Sequence, residues 1–303
     1  MKKNDGIYEV ITKRVVKQLE NAIKNGERFH WTKDWKGIVT GNAISFLSKN
    51  FTPYRGINKL FLDGLYITYK QFQEFQLKHP EIQFKIKKGC HQETVYFYKI
   101  IESKTEDDNG EEKTVAFPMM RFYKVFSIND IENLPQFFKV EEKEHSLTDA
   151  MAEAESIIAD YCKRDGLRLD IVEGSDRCFY RPSEHKVNVP KIGQFKTAEG
   201  YYAALFHELV HSTSKTLGRE LGGFFGSEKY SKEELIAELG SAFLCSTFGI
   251  ASDFDNSVAY LQGWLKAIKD SDPSLIVKAA TAAQKACDLI LGVTYAEKEE
   301  QTA

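Results

Sequence analysis

Apolar side chains recur at Ile7, Val10, Ile11, Val15, Leu19 and Ile23, the three-to-four spacing of one helical face, and Asn25-Gly26 follows as a stop signal. An amphipathic helix over residues 7–24 is predicted. Periodicity then lapses. Residues 29–58 mix Gly, Asn, Pro and aromatics, which predicts loop around short elements. A loop of that length and mixed composition tends to be functional. A helical segment near 68–78 precedes alternating stretches at 82–87, 94–101 and 115–126, predicting a small antiparallel sheet with an exposed acidic turn at 103–113. Around residues 128–146 the period is lost, Pro135 appears and charge accumulates, so a linker is placed at 131–146, between a domain at 1–130 and another at 147–303. Helix resumes at 147–163, then two strand-like pieces at 168–172 and 186–190 flank a turn-rich RPSEH. Four helical stretches follow at 197–213, 231–248, 254–268 and 274–291. The predicted class is α+β: a small α+β domain with an antiparallel sheet, then a mainly helical domain with a short sheet.

Composition changes this picture in three ways. With 303 residues, 42% hydrophobic and 13% aromatic, the chain can fill two cores. The start MKKNDGIYEV has no apolar signal region and no stretch of 18 apolar residues occurs, so neither secretion nor membrane spanning is expected. Cys90, Cys162, Cys178, Cys245 and Cys287 are scattered without a C-x-x-C pair, which points to reduced thiols and a cytoplasmic protein. Third, the net charge of -3 conceals an asymmetry. Residues 1–100 hold 18 Lys+Arg against 9 Asp+Glu, whereas 101–303 hold 23 against 35. Opposite charges on two parts of one chain suggest different partners.

The sharpest chemical signal is HELVH at 207–211. An i, i+4 spacing puts His207 and His211 on one helical face, where two imidazoles reach a single ion. Glu208 then directs a carboxylate at the activated water as general base. Such a site needs a third protein ligand, and SKEELIAELGSAFL at 231–244 offers Glu233, Glu234 and Glu238 on an otherwise apolar helix. Buried carboxylates cost several kcal/mol unless paired, so a cation between the helices explains them. Glu234 is assigned as third ligand and Glu238 as the acceptor that orients a ligand histidine through its free ring N–H, with the reverse assignment open because both share a face. The expected ion is Zn2+, with Mn2+ a second candidate.

HELVH followed by EELIAE resembles the glutamate-liganded zincin metallopeptidases. YRPSEHKVNVPKIGQF at 180–195, the motif helix and EELIAELGSAFLCSTFGI at 233–250 together are similar to the C-terminal half of ArdC-type antirestriction proteins. The N-terminal stretches WTKDW, TGNAISFLSKNFTPYRGIN, ITYKQFQEF, KIKKG and RFYKVFSINDIE run in the order of the N-terminal ArdC domain, which is similar to the single-strand-binding region of certain plasmid primases. Only the pair Cys90-His91, after KIKKG, departs from that pattern. The resemblance implies a zincin-like fold for 147–303 and single-stranded DNA as a partner of residues 1–130. The aromatics Trp31, Trp35, Tyr54, Tyr66, Tyr69, Tyr96, Phe97, Tyr98, Phe122 and Tyr123 under a basic charge suit base stacking over a cationic track. The expected contacts are Trp31, Trp35, Tyr54, Arg55, Asn58, Lys87 and Lys88. The expected function is an antirestriction protein of mobile-element origin with a zinc peptidase domain. Two alternatives remain: a metalloprotease acting on a protein partner with no DNA role, and a metal-stabilised DNA-binding protein without turnover.

Overall fold

A computed structural model of the chain describes residues 5–27, 29–32, 44–45, 53–62, 64–106, 112–134, 146–221, 228–251 and 258–293. Helix α1, Asp5–Asn25, buries Ile11, Val15 and Leu19 completely. Val10, expected on the same stripe, is 57% exposed. Gly26 takes a left-handed φ of 64°, which frees the Glu27 amide to donate to the Ala22 carbonyl and close the last turn. A 3-10 turn at Gly56–Leu60 begins at the end of the stretch that reads as loop, and strand β2, Leu65–Thr68, follows where the sequence pattern marks no element. Helix α2, Tyr69–Lys78, starts on a reciprocal cap. The Gln71 amide donates to Thr68 Oγ1 and the Thr68 amide to Gln71 Oε1.

The N-terminal sheet has the order β1-β2-β5-β4, with β1 at Ile44–Ser45, β4 at Glu93–Glu106 and β5 at Glu112–Ser127. β4 and β5 form one long antiparallel ladder from Glu93↔Val125 to Glu106↔Glu112. This hairpin runs several residues further than the predicted stretches and takes in most of the acidic segment read as a turn. The piece predicted at 82–87 is the short β3, Lys85–Ile86, and it pairs with β6, Ile131–Glu132, rather than with the hairpin.

The second half runs α3 (Leu147–Asp165), β7 (Arg168–Val172), β8 (Phe179–Arg181), β9 (Lys186–Pro190), α4 (Ala198–Ser212), α5 (Ser214–Leu217), α6 (Glu228–Phe248), α7 (Val258–Asp270) and α8 (Leu275–Leu291). Its sheet has the order β7-β9-β8, with β7 parallel and β8 antiparallel to β9. Glycine sets the spacing at its centre. A Cβ on Gly240 of α6 would lie 2.6 Å from Val210 Cγ2 of α4. Ser241 Oγ then donates to the Ala203 carbonyl at 2.7 Å, tying the two helices together.

The sequence places its linker at 131–146, but one buried cluster draws on both sides of it. Ile11, Val15, Leu19, Trp31, Ile57, Leu60, Phe61, Tyr96 and Met120 share a core with α4 and α6 to α8. Among the described residues, no helix is long and apolar enough to cross a membrane.

Candidate metal centre

The close α4–α6 approach brings three side chains to one point. His207 Nε2 and His211 Nε2 face each other at 3.1 Å. Glu234 reaches both, with Oε2 3.4 Å from His207 Nε2 and Oε1 3.5 Å from His211 Nε2. Ligands about 2.0–2.1 Å from one tetrahedral ion stand about 3.3 Å from each other, so these separations fit a single divalent cation. Among the described residues this is the one group of three such side chains able to hold an ion.

Each outward ring nitrogen meets a carboxylate. His207 Nδ1 is 3.5 Å from Glu238 Oε2, and His211 Nδ1 is 3.3 Å from Glu233 Oε1. Sequence gave Glu233 no role. It is buried because Arg219 grips it twice, Nε to Oε2 at 3.2 Å and Nη2 to Oε1 at 3.0 Å, while Arg219 also donates to the Val210 carbonyl and to Thr213 Oγ1. Arg219 follows the left-handed Gly218 after α5, where no periodicity marks it, so only the fold reveals it. Glu238 is 2% exposed and its Oε1 has no hydrogen-bond partner, an orphaned acceptor beside the cluster.

The electrostatics follow from this crowding of carboxylates around imidazoles. Burial alone would push the His207 imidazolium down, but hydrogen bonds to Glu234 and Glu238 and the Glu208 charge outweigh it and hold His207 up at about 10. The net shift of His211 is also upward: burial lowers it, and Glu233 and Glu234 more than offset that. Glu234 is held well below the usual carboxylate range, because its contacts with both histidines exceed the cost of its burial.

Glu208 points to the sheet side of the cleft, its Oε2 accepting the Tyr180 amide of β8 at 2.7 Å. β8 is an edge strand that sequence missed, since three residues leave too little alternation to read. A buried network holds it. Tyr180 Oη meets His185 Nδ1 at 2.9 Å, His185 Nε2 meets Asp165 Oδ2 at 3.1 Å, and Tyr161 Oη spans Asp165 and Ser212 at the end of α4. His185 sits at a φ of 45°, a left-handed conformation uncommon outside glycine.

The expected DNA contacts scatter. Trp31 is 4% exposed, edge-on to Phe29 and Trp264, and Tyr54 is 7% exposed in a cluster with Leu62, Tyr66, Val95 and Val125. Rings so enclosed have no face on which to stack a base. Asn58 is buried too: its Nδ2 donates to the Tyr96 carbonyl and its Oδ1 accepts the Tyr96 amide. Arg55 pairs with Asp288 of α8, the Gly56 amide donates to Gln284 Oε1, and the buried Lys59 ammonium lies 5.2 Å from the Phe243 ring centre. Burial lowers Lys59 to about 8. The segment YRGINK is therefore a joint against α6 and α8, in which Tyr54 and Asn58, expected as DNA contacts, are enclosed, while Arg55 stays partly exposed. Lys87 and Lys88 are exposed, with Lys87 Nζ donating to the Asn129 carbonyl. Trp35 lies outside the described residues.

Comparison with known proteins fits this geometry. Residues 5–126 match the family described as the N-terminal domain of anti-restriction factor ArdC, and residues 153–282 match the zincin-like metallopeptidases. Crystal structures of the antirestriction ArdC protein from R388 plasmid align along the whole chain. The metal-free form gives a TM-score of 0.65 at 30% identity over 95% of this chain and 99% of that one, and the Mn(II)-bound form 0.64 at 29% identity over 94% and 97%. Two Escherichia coli proteins named DNA primase TraC are 32% and 31% identical over 97% of this chain, which spans only 28% and 20% of their lengths. An uncharacterised protein, y4eC, of Sinorhizobium fredii is 28% identical over 93% of this chain and 90% of its own.

Proposed function

The chain belongs to the ArdC antirestriction family, and from that premise we propose that it binds single-stranded DNA through its N-terminal half and hydrolyses peptide bonds at a divalent ion held by its C-terminal half. The observation that supports the second activity most is the triangle of His207 Nε2, His211 Nε2 and Glu234 at 3.1, 3.4 and 3.5 Å, with Glu208 one residue from the first histidine. In this reading His207, His211 and Glu234 hold zinc or manganese. The chemistry an ion supplies there is polarisation of a carbonyl and acidification of a water.

The chain's own groups do the rest. Glu208 takes the proton from the attacking water and returns it to the leaving amine. Glu238 behind His207, and the Glu233–Arg219 pair behind His211, fix both rings with Nε2 facing inward. Residues 147–303 form the metal-binding unit and 1–130 the DNA-binding unit, docked on each other through YRGINK. The alternative of a metal-stabilised protein without turnover draws on one contact. Glu208 Oε2 is already engaged by the Tyr180 amide, leaving one oxygen for proton transfer.

Metal content and casein or peptide cleavage test the proposal. About one divalent ion per chain is expected, lost in His207→Ala, His211→Ala and Glu234→Ala but kept in Glu208→Ala, which should lose cleavage alone. Glu238→Ala should weaken metal binding by about 10–100-fold without eliminating it. A greater loss at Glu238 than at Glu234 would exchange their roles. Cleavage by Glu208→Ala at the wild-type rate would remove the base. Salt-sensitive binding of a single strand by the intact chain tests the other half.

A further inference from the structure

With Trp31, Tyr54 and Asn58 enclosed, a single strand needs another surface. Among the described residues, the aromatic side chains counted with the exposed large apolar groups are two, Tyr69 at 55% and Phe122 at 56%. Both lie on one face of the N-terminal sheet. Phe122, Lys124 and Phe126 are alternate residues of β5 and project to the same side, and Tyr69 at the start of α2 has its ring 6.5 Å from that of Phe126. The order along the face is Tyr69, Phe126, Lys124, Phe122. At about 3.4 Å per residue, the two phenylalanines stand about 14 Å apart.

The two ends of this face are already packed. At the β2 end, Leu65 and Ile67 are covered by Phe72 of α2 in a small core. At the other, Tyr96, directly opposite Phe122, meets Phe61 with ring centres 6.3 Å apart. Between them lies a strip in which Phe126 is buried while Tyr69 and Phe122 are exposed and Lys124 supplies a cation. Lys124 is exposed and donates to Thr94 Oγ1 at 2.6 Å across the ladder, which holds its ammonium over the sheet. Lys70 is exposed beside Tyr69, with Glu74 of α2 as an exposed opposite charge. Bare rings separated by an ammonium match a polyanion with flat apolar faces. Single-stranded nucleic acid offers both, whereas a duplex hides its base faces inside its own stack.

We propose that single-stranded DNA binds across this strip, stacking bases on Tyr69 and Phe122 with a phosphate at Lys124. The proposal rests on the single-strand reading of the N-terminal half given above and assigns it a surface.

Fluorescence anisotropy of the full-length chain with a labelled oligothymidine of about 20 nucleotides tests it, since single-strand sites take about 4–16 nucleotides. Phe122→Ala and Tyr69→Ala should each weaken binding by about 5- to 100-fold. Phe122→Leu, which keeps apolar volume without a ring, should weaken it comparably, and Tyr69→Phe should bind as wild type. Lys124→Gln should reduce the slope of log affinity against log salt by about 0.7. Unchanged metal content and melting temperature identify folded variants, and if an alanine variant misfolds, Phe122→Leu decides. Wild-type binding with folded Phe122→Leu, Phe122→Ala and Tyr69→Ala all at wild-type affinity would overturn the strip and leave the single-strand reading standing. No binding by wild type would remove that reading, and the strip with it.

Discussion

The metal cleft and the N-terminal sheet use the same kinds of residue in opposite ways. Between α4 and α6, charged side chains are drawn into an apolar interior and made tolerable by one another: four carboxylates, two imidazoles and one guanidinium within a few ångströms. On the β5 face, aromatic side chains suited to a core lie in the open beside a lysine. Burying charge costs several kcal/mol per unpaired group, and baring rings forgoes their burial, so each arrangement departs from what stability alone would select. A departure marks function only where the fold has rejected the cheaper arrangement, and Trp31 shows the cheaper arrangement at work. It too is an aromatic from the basic N-terminal part, and it is simply buried.

The sharpest way to separate Trp31 from Phe122 is to truncate it. Trp31→Ala should destabilise the chain by about 3–5 kcal/mol, the usual cost of emptying a large buried aromatic site. Its place between Phe29 and Trp264 means the loss should also loosen α7, and urea unfolding of the metal-loaded protein measures it. A change below about 0.5 kcal/mol, combined with weaker DNA binding, would return Trp31 to the surface role expected from sequence.

A smaller effect is expected on the cleft side. Gly240→Ala places a methyl 2.6 Å from Val210 Cγ2 and 3.0 Å from Cγ1, and a β-branched side chain in a helix has little freedom to swing away. The helices must separate by some tenths of an ångström, at about 1–3 kcal/mol. Because α6 carries Glu234 and α4 carries both histidines, metal affinity should fall along with stability. Isothermal titration with the metal would show the coupling. A stable variant with unchanged affinity would mean that the close approach serves packing alone.

These cases also show what sequence could reveal. The HELVH spacing is local, so one helix turn fixes both imidazoles, and Glu234 and Glu238 stood out because carboxylates interrupt an apolar helix. Gly240 carries no such mark: its role depends on Val210 thirty residues away. Arg219 comes from an irregular segment, and β8 is too short to alternate. The burial of Tyr54 and Asn58 escapes the sequence for a related reason. Tyr54 is enclosed by Leu62, Tyr66, Val95 and Val125 and Asn58 is held by the Tyr96 backbone, contacts made largely by strands distant in sequence, and an aromatic-rich loop reads alike whether it faces solvent or seats a second layer of structure.

The finest test of the cleft is its proton. In the metal-free protein His207 is held up at about 10, against an ordinary imidazole near 6.5, because Glu234, Glu238 and Glu208 outweigh its burial. A folded-state value raised above the unfolded one stabilises the fold fully below about pH 6.5, and that contribution is lost as pH rises toward 10. Metal requires the neutral ring, so near pH 7 binding must expel this proton, and apparent affinity should climb by up to about tenfold per pH unit. The two effects act in the same direction. Raising pH weakens the metal-free fold and strengthens metal binding, so the melting temperature gained on adding metal should widen steadily from pH 6 to 8.5. Calorimetry in buffers of different ionisation enthalpy should count about one proton released per ion near pH 7 from His207, plus any share from His211, which is also raised. A gain that stays flat with pH, with no proton released, would mean that His207 is neutral before the metal arrives, and that the carboxylates around it are balanced by some other charge.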